Sequence, residues 1–164
     1  MYKVPKSFSS AKLAALLSVI VIIADQSSKW AILTFLEANN PVRILPFFNI
    51  VLVKNSGVAF GAFSDSIHPI ILIIVSSAMA ISLILWSSEN KRYRLQTALV
   101  TGGAVGNILD RIFYDHVIDF IDFHIFGYHW PAFNIADSSI VVGVALLVFI
   151  AYKCKDFYNS SWRV

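Results

Sequence analysis

From Ser66 through Ser88 the chain carries no Asp, Glu, Lys or Arg. A helix needs about 20 apolar residues to cross the hydrocarbon of a bilayer. Nothing else in the sequence restricts the fold as much, because a bilayer admits only helices or closed barrels. Three further stretches are of similar length and character, each interrupted by charge. The expected spans are 13–36, 69–86, 95–114 and 131–152, with Asp25 and Lys29 inside the first, Asp110 and Arg111 inside the third, and Asp137 inside the fourth. Charged residues make up 14% of the chain and mean hydropathy is +0.70, against about 25% charged in a soluble domain. One integral membrane domain, residues 1–164, is expected. The basic N-terminus followed by Leu13–Ala24 resembles a secretory leader. No small-residue cleavage pattern follows, so the expectation is an uncleaved first helix.

Basic residues orient the spans. Of thirteen Lys and Arg, nine (Lys3, Lys6, Lys12, Lys91, Arg92, Arg94, Lys153, Lys155 and Arg163) fall before span one, between spans two and three, or after span four. That face is cytoplasmic by the positive-inside rule, so both termini are expected in the cytoplasm. Segment 37–68 is too long for a turn. Within it, Asn49–Lys54 reads as a strand, with Val58–Phe63 as a possible partner. The second outer segment, 115–130, is too apolar for a free loop and is expected at the interface.

The intramembrane charges share one level. Asp110 lies fifteen residues from Leu95 and Asp137 fifteen from Tyr152, so each sits roughly 22 Å from the inner ends of its span. Asp25 sits about 18 Å up by the same rule. Charges at such depth are functional hypotheses. Asp25 and Lys29 are spaced to pair on one helix face. Asp119 and Asp137 have no Lys or Arg within seven residues in sequence, which makes them candidates for catalysis or proton transfer. Gly102, Gly103 and Gly106 allow close helix contact. A serine–lysine site is disfavoured, since Ser28 and Lys29 point apart on a helix. A metal site on His116, His124 and His129 with Asp119 and Asp122 lacks a recognised ligand spacing. The lone Cys154 lies at the opposite end from the carboxylates and excludes an intrachain disulfide. No glycine-rich nucleotide loop occurs, and no nucleic-acid partner is expected.

Five motifs stand in order: Asp25-Gln-Ser-Ser-Lys29, Asn55-Ser-Gly-Val-Ala-Phe-Gly61, Gly102-Gly-Ala-Val-Gly-Asn-Ile-Leu-Asp-Arg111, Val117-Ile-Asp-Phe-Ile-Asp-Phe123 and Phe133-Asn-Ile-Ala-Asp137. The set resembles the lipoprotein signal peptidase (signal peptidase II) family over nearly the whole chain. The resemblance implies an all-α membrane protein: four transmembrane helices, a small extracytoplasmic β-sheet and a short interfacial amphipathic helix. It implies an aspartic endopeptidase of the bacterial inner membrane, cleaving prolipoproteins just before a diacylglyceryl-modified cysteine. Its site would lie near the outer face. Asp119 and Asp137 match the catalytic positions, and Asn55, Asn107 and Arg111 match substrate contacts. Asp25, Lys29, Asp110, Gly103 and Asn134 match supporting positions. Expected partners are the lipidated precursor and membrane lipids, with no metal or cofactor, and the protein is expected to be a monomer. The competing reading is a small proton-coupled carrier with Asp25, Asp110 and Asp137 as its relay. A non-enzymatic lipoprotein-binding subunit would differ from the peptidase only in lacking the aspartate pair.

Overall fold

The computed structural model describes residues 9–37, 40–57 and 68–160, with side chains as far as Lys153. Four long helices dominate: α1 (Ser10–Phe35), α2 (Pro69–Glu89), α3 (Arg94–Tyr114) and α4 (Ile135–Ser160). A 3-10 turn, Lys91–Tyr93, joins α2 to α3. The strands are β1 (Val42–Leu45), β2 (Phe48–Asn55), β3 (Val117–Ile125) and β4 (Tyr128–His129), and they form one antiparallel sheet in that order.

The helices are apolar outside and polar inside, the reverse of a soluble bundle. In α1 only Val21, Asp25 and Lys29 are buried, a seam at spacing four, while Leu16, Ile20 and Ile23 face outward. Outward apolar surface is stable only in a nonaqueous medium. Among the described residues, three helices are long and apolar enough to cross a membrane: α1, α2 and the described part of α4. The less apolar α3 packs against the other three. Its polar residues, including Thr97, Thr101, Asn107, Asp110 and Arg111, are buried among protein rather than turned to the surroundings.

Close packing at the centre depends on two glycines. A Cβ on Gly103 would collide with the backbone oxygen of Ala136 and approach Ile140 Cγ1 to 2.8 Å. A Cβ on Gly106 would stand 2.6 Å from Asp25 Oδ2. Bare backbone at these positions lets α3 meet both α1 and the start of α4.

Several expectations are corrected. The fourth helix begins at Ile135, not at 131, because residues 131–134 are tied to the sheet. Phe133 O accepts from Phe120 N (3.0 Å) and Ile121 N (2.8 Å), and Phe133 N donates to Ile121 O (3.1 Å). The second outer segment, expected to be too apolar for a free loop, forms a strand and a hairpin, closed by Phe126 and Gly127 at φ 49° and 82°. The partners of β2 are β1 and β3. Val58–Phe63, the expected partner, lies outside the described residues. β1 was not anticipated: Pro41 and Pro46 bracket it, as suits a short edge strand. The short amphipathic helix does not occur among the described residues.

Candidate active site

The register of the sheet starts the site. Val53 pairs with Asp119 and Asn55 with Val117, so Asn55 and Asp119 are diagonal neighbours within side-chain reach. Asn55 Nδ2 donates to Asp119 Oδ2 at 2.9 Å. Asp119 is therefore held on a strand, not on a loop.

The Phe133 bonds then bring the start of α4 beside β3. Asn134 caps that helix. Its Oδ1 accepts from Asp137 N at 2.8 Å, and its own N donates to Asp137 Oδ2 at 3.2 Å. This is a reciprocal capping box, with an acidic residue at the electropositive end of a helix. The amide of Asn134 is also committed to the sheet, donating to Asp119 Oδ1 at 2.7 Å. One fully buried asparagine thus holds both aspartates.

Asn107 makes the third connection. Its Nδ2 donates to Asp137 Oδ1 at 2.8 Å, and its Oδ1 accepts from Lys29 Nζ at 3.0 Å and Asn134 Nδ2 at 3.2 Å. Arg111 extends the other way, donating from Nη2 to Gly57 O at 3.0 Å and from Nη1 to Asn107 O at 3.3 Å. Asn55, Asn107, Arg111, Asp119 and Asp137 all line one cavity of about 690 Å³. Its remaining wall is largely apolar, with Met79, Leu83, Val100, Ile140 and Val141 from α2, α3 and α4.

Asp25, Lys29 and Asp110 lie behind this wall as a buried cluster. Lys29 Nζ contacts Asp25 Oδ2 at 2.7 Å and Asp110 Oδ2 at 2.8 Å. Asp25 Oδ1 accepts from Ala136 N at 2.8 Å, and Asp110 Oδ2 from Ile118 N at 3.0 Å. The two carboxylates therefore fasten α4 and β3 to the helices. Gln26, for which no role was expected, donates to Asp110 Oδ1 at 2.8 Å and Gly106 O at 3.1 Å. Its signal was an amide inside a span, next to a charge that already drew attention.

Burial pushes the Asp119 carboxyl up to about 7; its Asn55 and Asn134 hydrogen bonds oppose this, and the nearby charge of Asp137 adds to it. Asp122 behaves differently. Burial disfavours its charge, but hydrogen bonds from His129 and Asn49 outweigh that and hold it below the ordinary carboxylate range. Asp119 and Asp122 are three apart on one strand and so point to opposite faces. His129 Nδ1 lies 2.8 Å from Asp122 and its ring stacks on His124. Among the described residues no group of three or more His, Cys, Asp or Glu is arranged to hold a metal ion.

Comparison with known proteins bears on this arrangement. The profile of the signal peptidase (SPase) II family matches residues 17–153. The chain belongs to the signal peptidase II family. The lipoprotein signal peptidase of Polynucleobacter necessarius subsp. necessarius is 40% identical over 161 residues, covering 95% of this chain and 98% of that protein. The one from Paraburkholderia phymatum is 43% identical over 143 residues, covering 80% and 82%. A bacterial membrane enzyme solved by the in meso method at 2.3 Å resolution superposes with a TM-score of 0.78 at 34% identity, covering 86% of this chain and 88% of that one. A peptidase of the signal peptidase II family must polarise a peptide carbonyl and activate a nucleophile. Asp119 and Asp137, on the wall of one cavity, are carboxyl groups of the kind that can perform such steps.

Proposed function

We propose that this chain is a membrane-embedded aspartic endopeptidase that cleaves prolipoproteins immediately before the diacylglyceryl-modified cysteine. The observation that carries the reading is that Asp119 and Asp137, from a strand and a helix start, line one largely apolar cavity and are held by one asparagine. Two carboxylates at such a site share a proton. The ionised one takes a proton from water as the water attacks the scissile carbonyl. The protonated one hydrogen-bonds that carbonyl and supports the charge that develops on it. The roles then reverse as the proton passes to the leaving amine. Asn55, Asn107 and Arg111 face the same cavity and would orient the peptide. Met79, Leu83 and Val141 offer apolar wall for the acyl chains. Burial is worth about 0.8 kcal/mol per CH₂, so partial seating of two chains would outweigh most peptide contacts.

In this reading α3 is the fourth span, because its neighbours cover its polar faces. Both termini lie in the cytoplasm of the bacterial inner membrane, the site lies near the outer face, and one copy suffices. Impermeant labelling of cysteines introduced at positions 65 and 91 in intact cells should mark only position 65. Marking of position 91 alone would reverse the orientation.

The test of function is incubation of the purified protein with a lipidated prolipoprotein. Leader release should occur with the wild type and be lost in Asp119→Asn and Asp137→Asn. Near-normal release by either folded variant, or equal release from the unlipidated precursor, would overturn the proposal.

A further inference from the structure

The aspartates are linked to the buried cluster through one amide, and the direction of that amide carries information. Asn107 Oδ1 faces Lys29 Nζ at 3.0 Å. An ammonium group offers only donors, so the oxygen of Asn107 must face it. The NH₂ group is then obliged to face Asp137 Oδ1, at 2.8 Å. A flipped Asn107 would present its oxygen to Asp137, an arrangement tolerable only for a protonated carboxyl. Lys29 itself is held by Asp25 and Asp110 at 2.7 and 2.8 Å, and it is 2% exposed, so it has no freedom to release Asn107.

We propose that Lys29, acting through Asn107, is a positioning residue that keeps Asp137 the ionised member of the pair and leaves the shared proton on Asp119. The proposal rests on the aspartic peptidase reading above. Three further observations point the same way. Asp137 lies in the first turn of α4, where the helix favours negative charge. Arg111 lines the same cavity as Asp137 and brings a cation to it. The two amides that bond Asp119 are oriented by backbone groups, Asn55 Oδ1 accepting from Gly57 N and Asn134 Oδ1 from Asp137 N, so the charge of Lys29 favours ionised Asp119 only through space. Asp119, almost fully buried, is then the carboxyl that pairs its proton with the substrate carbonyl, and Asp137 is the base toward water. Arg111 is the charged side chain that shares the cavity with the pair; Asp25, Lys29 and Asp110 lie behind it, and Lys54 and Asp122 point to the other face of the sheet. The only charge on α2 is Glu89, at its opposite end.

The experiment is the pH dependence of kcat and KM for lipidated precursor, measured with wild type, Lys29→Met and Lys29→Arg. A unit charge about 7 Å away at an effective dielectric of 20 is worth about 1.7 pH units. Lys29→Met should therefore move the acid limb of the kcat profile upward by about that amount, and Lys29→Arg should leave it near the wild-type position. Should Lys29→Met fail to fold, Lys29→Met with Asp110→Asn keeps the cluster's net charge, so the limb should still move upward but by less, through the lost orientation of Asn107 alone. A uniform fall in kcat with the limb unmoved would make Lys29 purely structural and overturn the proposal. An infrared measurement at mildly acid pH gives a second reading that needs no change at Lys29. The protonated-carboxyl band should vanish in Asp119→Asn and persist in Asp137→Asn, and the opposite pattern overturns the assignment. Turnover by Asp119→Asn would sink the parent reading as well. An unmoved limb alongside an inactive Asp119→Asn sinks this inference alone.

Discussion

Asp119→Asn should inactivate the protein yet make it more stable, by an amount that depends on pH. The folded Asp119 carboxyl titrates near 7 against an ordinary value of 3.8. The native state therefore holds this proton more tightly than the unfolded chain does. Its contribution is present in full at acid pH and is lost as pH rises through about 7. At about 1.4 kcal/mol per pH unit, the difference amounts to roughly 4 kcal/mol of destabilisation of the wild type above neutrality. Asparagine cannot ionise and escapes this penalty. It does lose something. One carboxylate oxygen becomes an NH₂ facing Asn55 Nδ2, whose own oxygen is already committed to Gly57 N at 3.0 Å. One lost hydrogen bond is worth about 1 kcal/mol. The net expectation is about 3 kcal/mol of stabilisation at pH values near 8 and about 0.5 kcal/mol of destabilisation near pH 4, with a crossover near pH 4.5. For a chain of this length that is a rise in Tm of roughly 6–12 °C on the alkaline side. Thermal unfolding of both proteins in the same detergent across that range is the assay. A Tm difference that does not change with pH would refute the reasoning, because it would mean that Asp119 titrates normally in the folded protein.

Other expectations follow from packing and backbone geometry. Gly103→Ala should lower stability by about 1–3 kcal/mol, since the new methyl collides with the Ala136 backbone. It should also lower kcat by displacing the capped turn that carries Asp137, and unchanged melting and turnover would show that α3 and α4 are further apart. Asp25→Asn should cost about 1–3 kcal/mol, less than breaking an isolated buried pair, because Lys29 keeps Asp110 at 2.8 Å. Turnover per folded molecule should fall far less than in the Asp119 or Asp137 variants, which a melting curve and an activity assay on one preparation would separate. Phe126, 95% exposed at φ 49°, should be replaceable by Gly with a gain of up to about 1 kcal/mol in detergent, and a marked loss of stability would mean that its ring makes contacts essential to the hairpin.

Depth along the spans was legible because a helix converts residue count to distance. That arithmetic placed Asp25 and Asp110 at a common level, and they do meet on Lys29. The isolation of Asp119 and Asp137 was legible only along the chain. In space, Lys29 reaches Asp137 through Asn107, and Arg111 shares their cavity. No local rule connects residue 29 with residue 107. The start of α4 carried a readable signal that hydropathy masked. Asn134 three residues before Asp137 is a capping-box spacing, yet the apolar run from Pro131 extended the expected span past it. β3 was hidden by its pattern, since in Val117–Phe123 two apolar residues separate the acidic ones. Neither the alternation of a half-buried strand nor the period of a helix stands out.

The same masked features explain why the pair can exist at all. Two carboxylates in apolar surroundings repel each other and lose hydration, so neither a strand nor a helix carrying one alone would be driven to meet the other. The meeting is enforced by groups that gain from it elsewhere. Phe133 satisfies backbone bonds of β3, Asp25 caps the Ala136 N–H, and Asp110 caps the Ile118 N–H. The buried cluster behind the cavity is in this sense a clamp that closes α4 and β3 on one another, and the stability it adds offsets the strain of holding Asp119 buried and close to Asp137. A family member lacking the clamp should separate its aspartates before it loses its helices. In this chain, therefore, on heating a variant with a disrupted Asp25–Lys29–Asp110 cluster, such as Lys29→Met, turnover should be lost several degrees below the temperature at which helical circular dichroism is lost. Simultaneous loss of both would show that the clamp holds the whole bundle rather than the site.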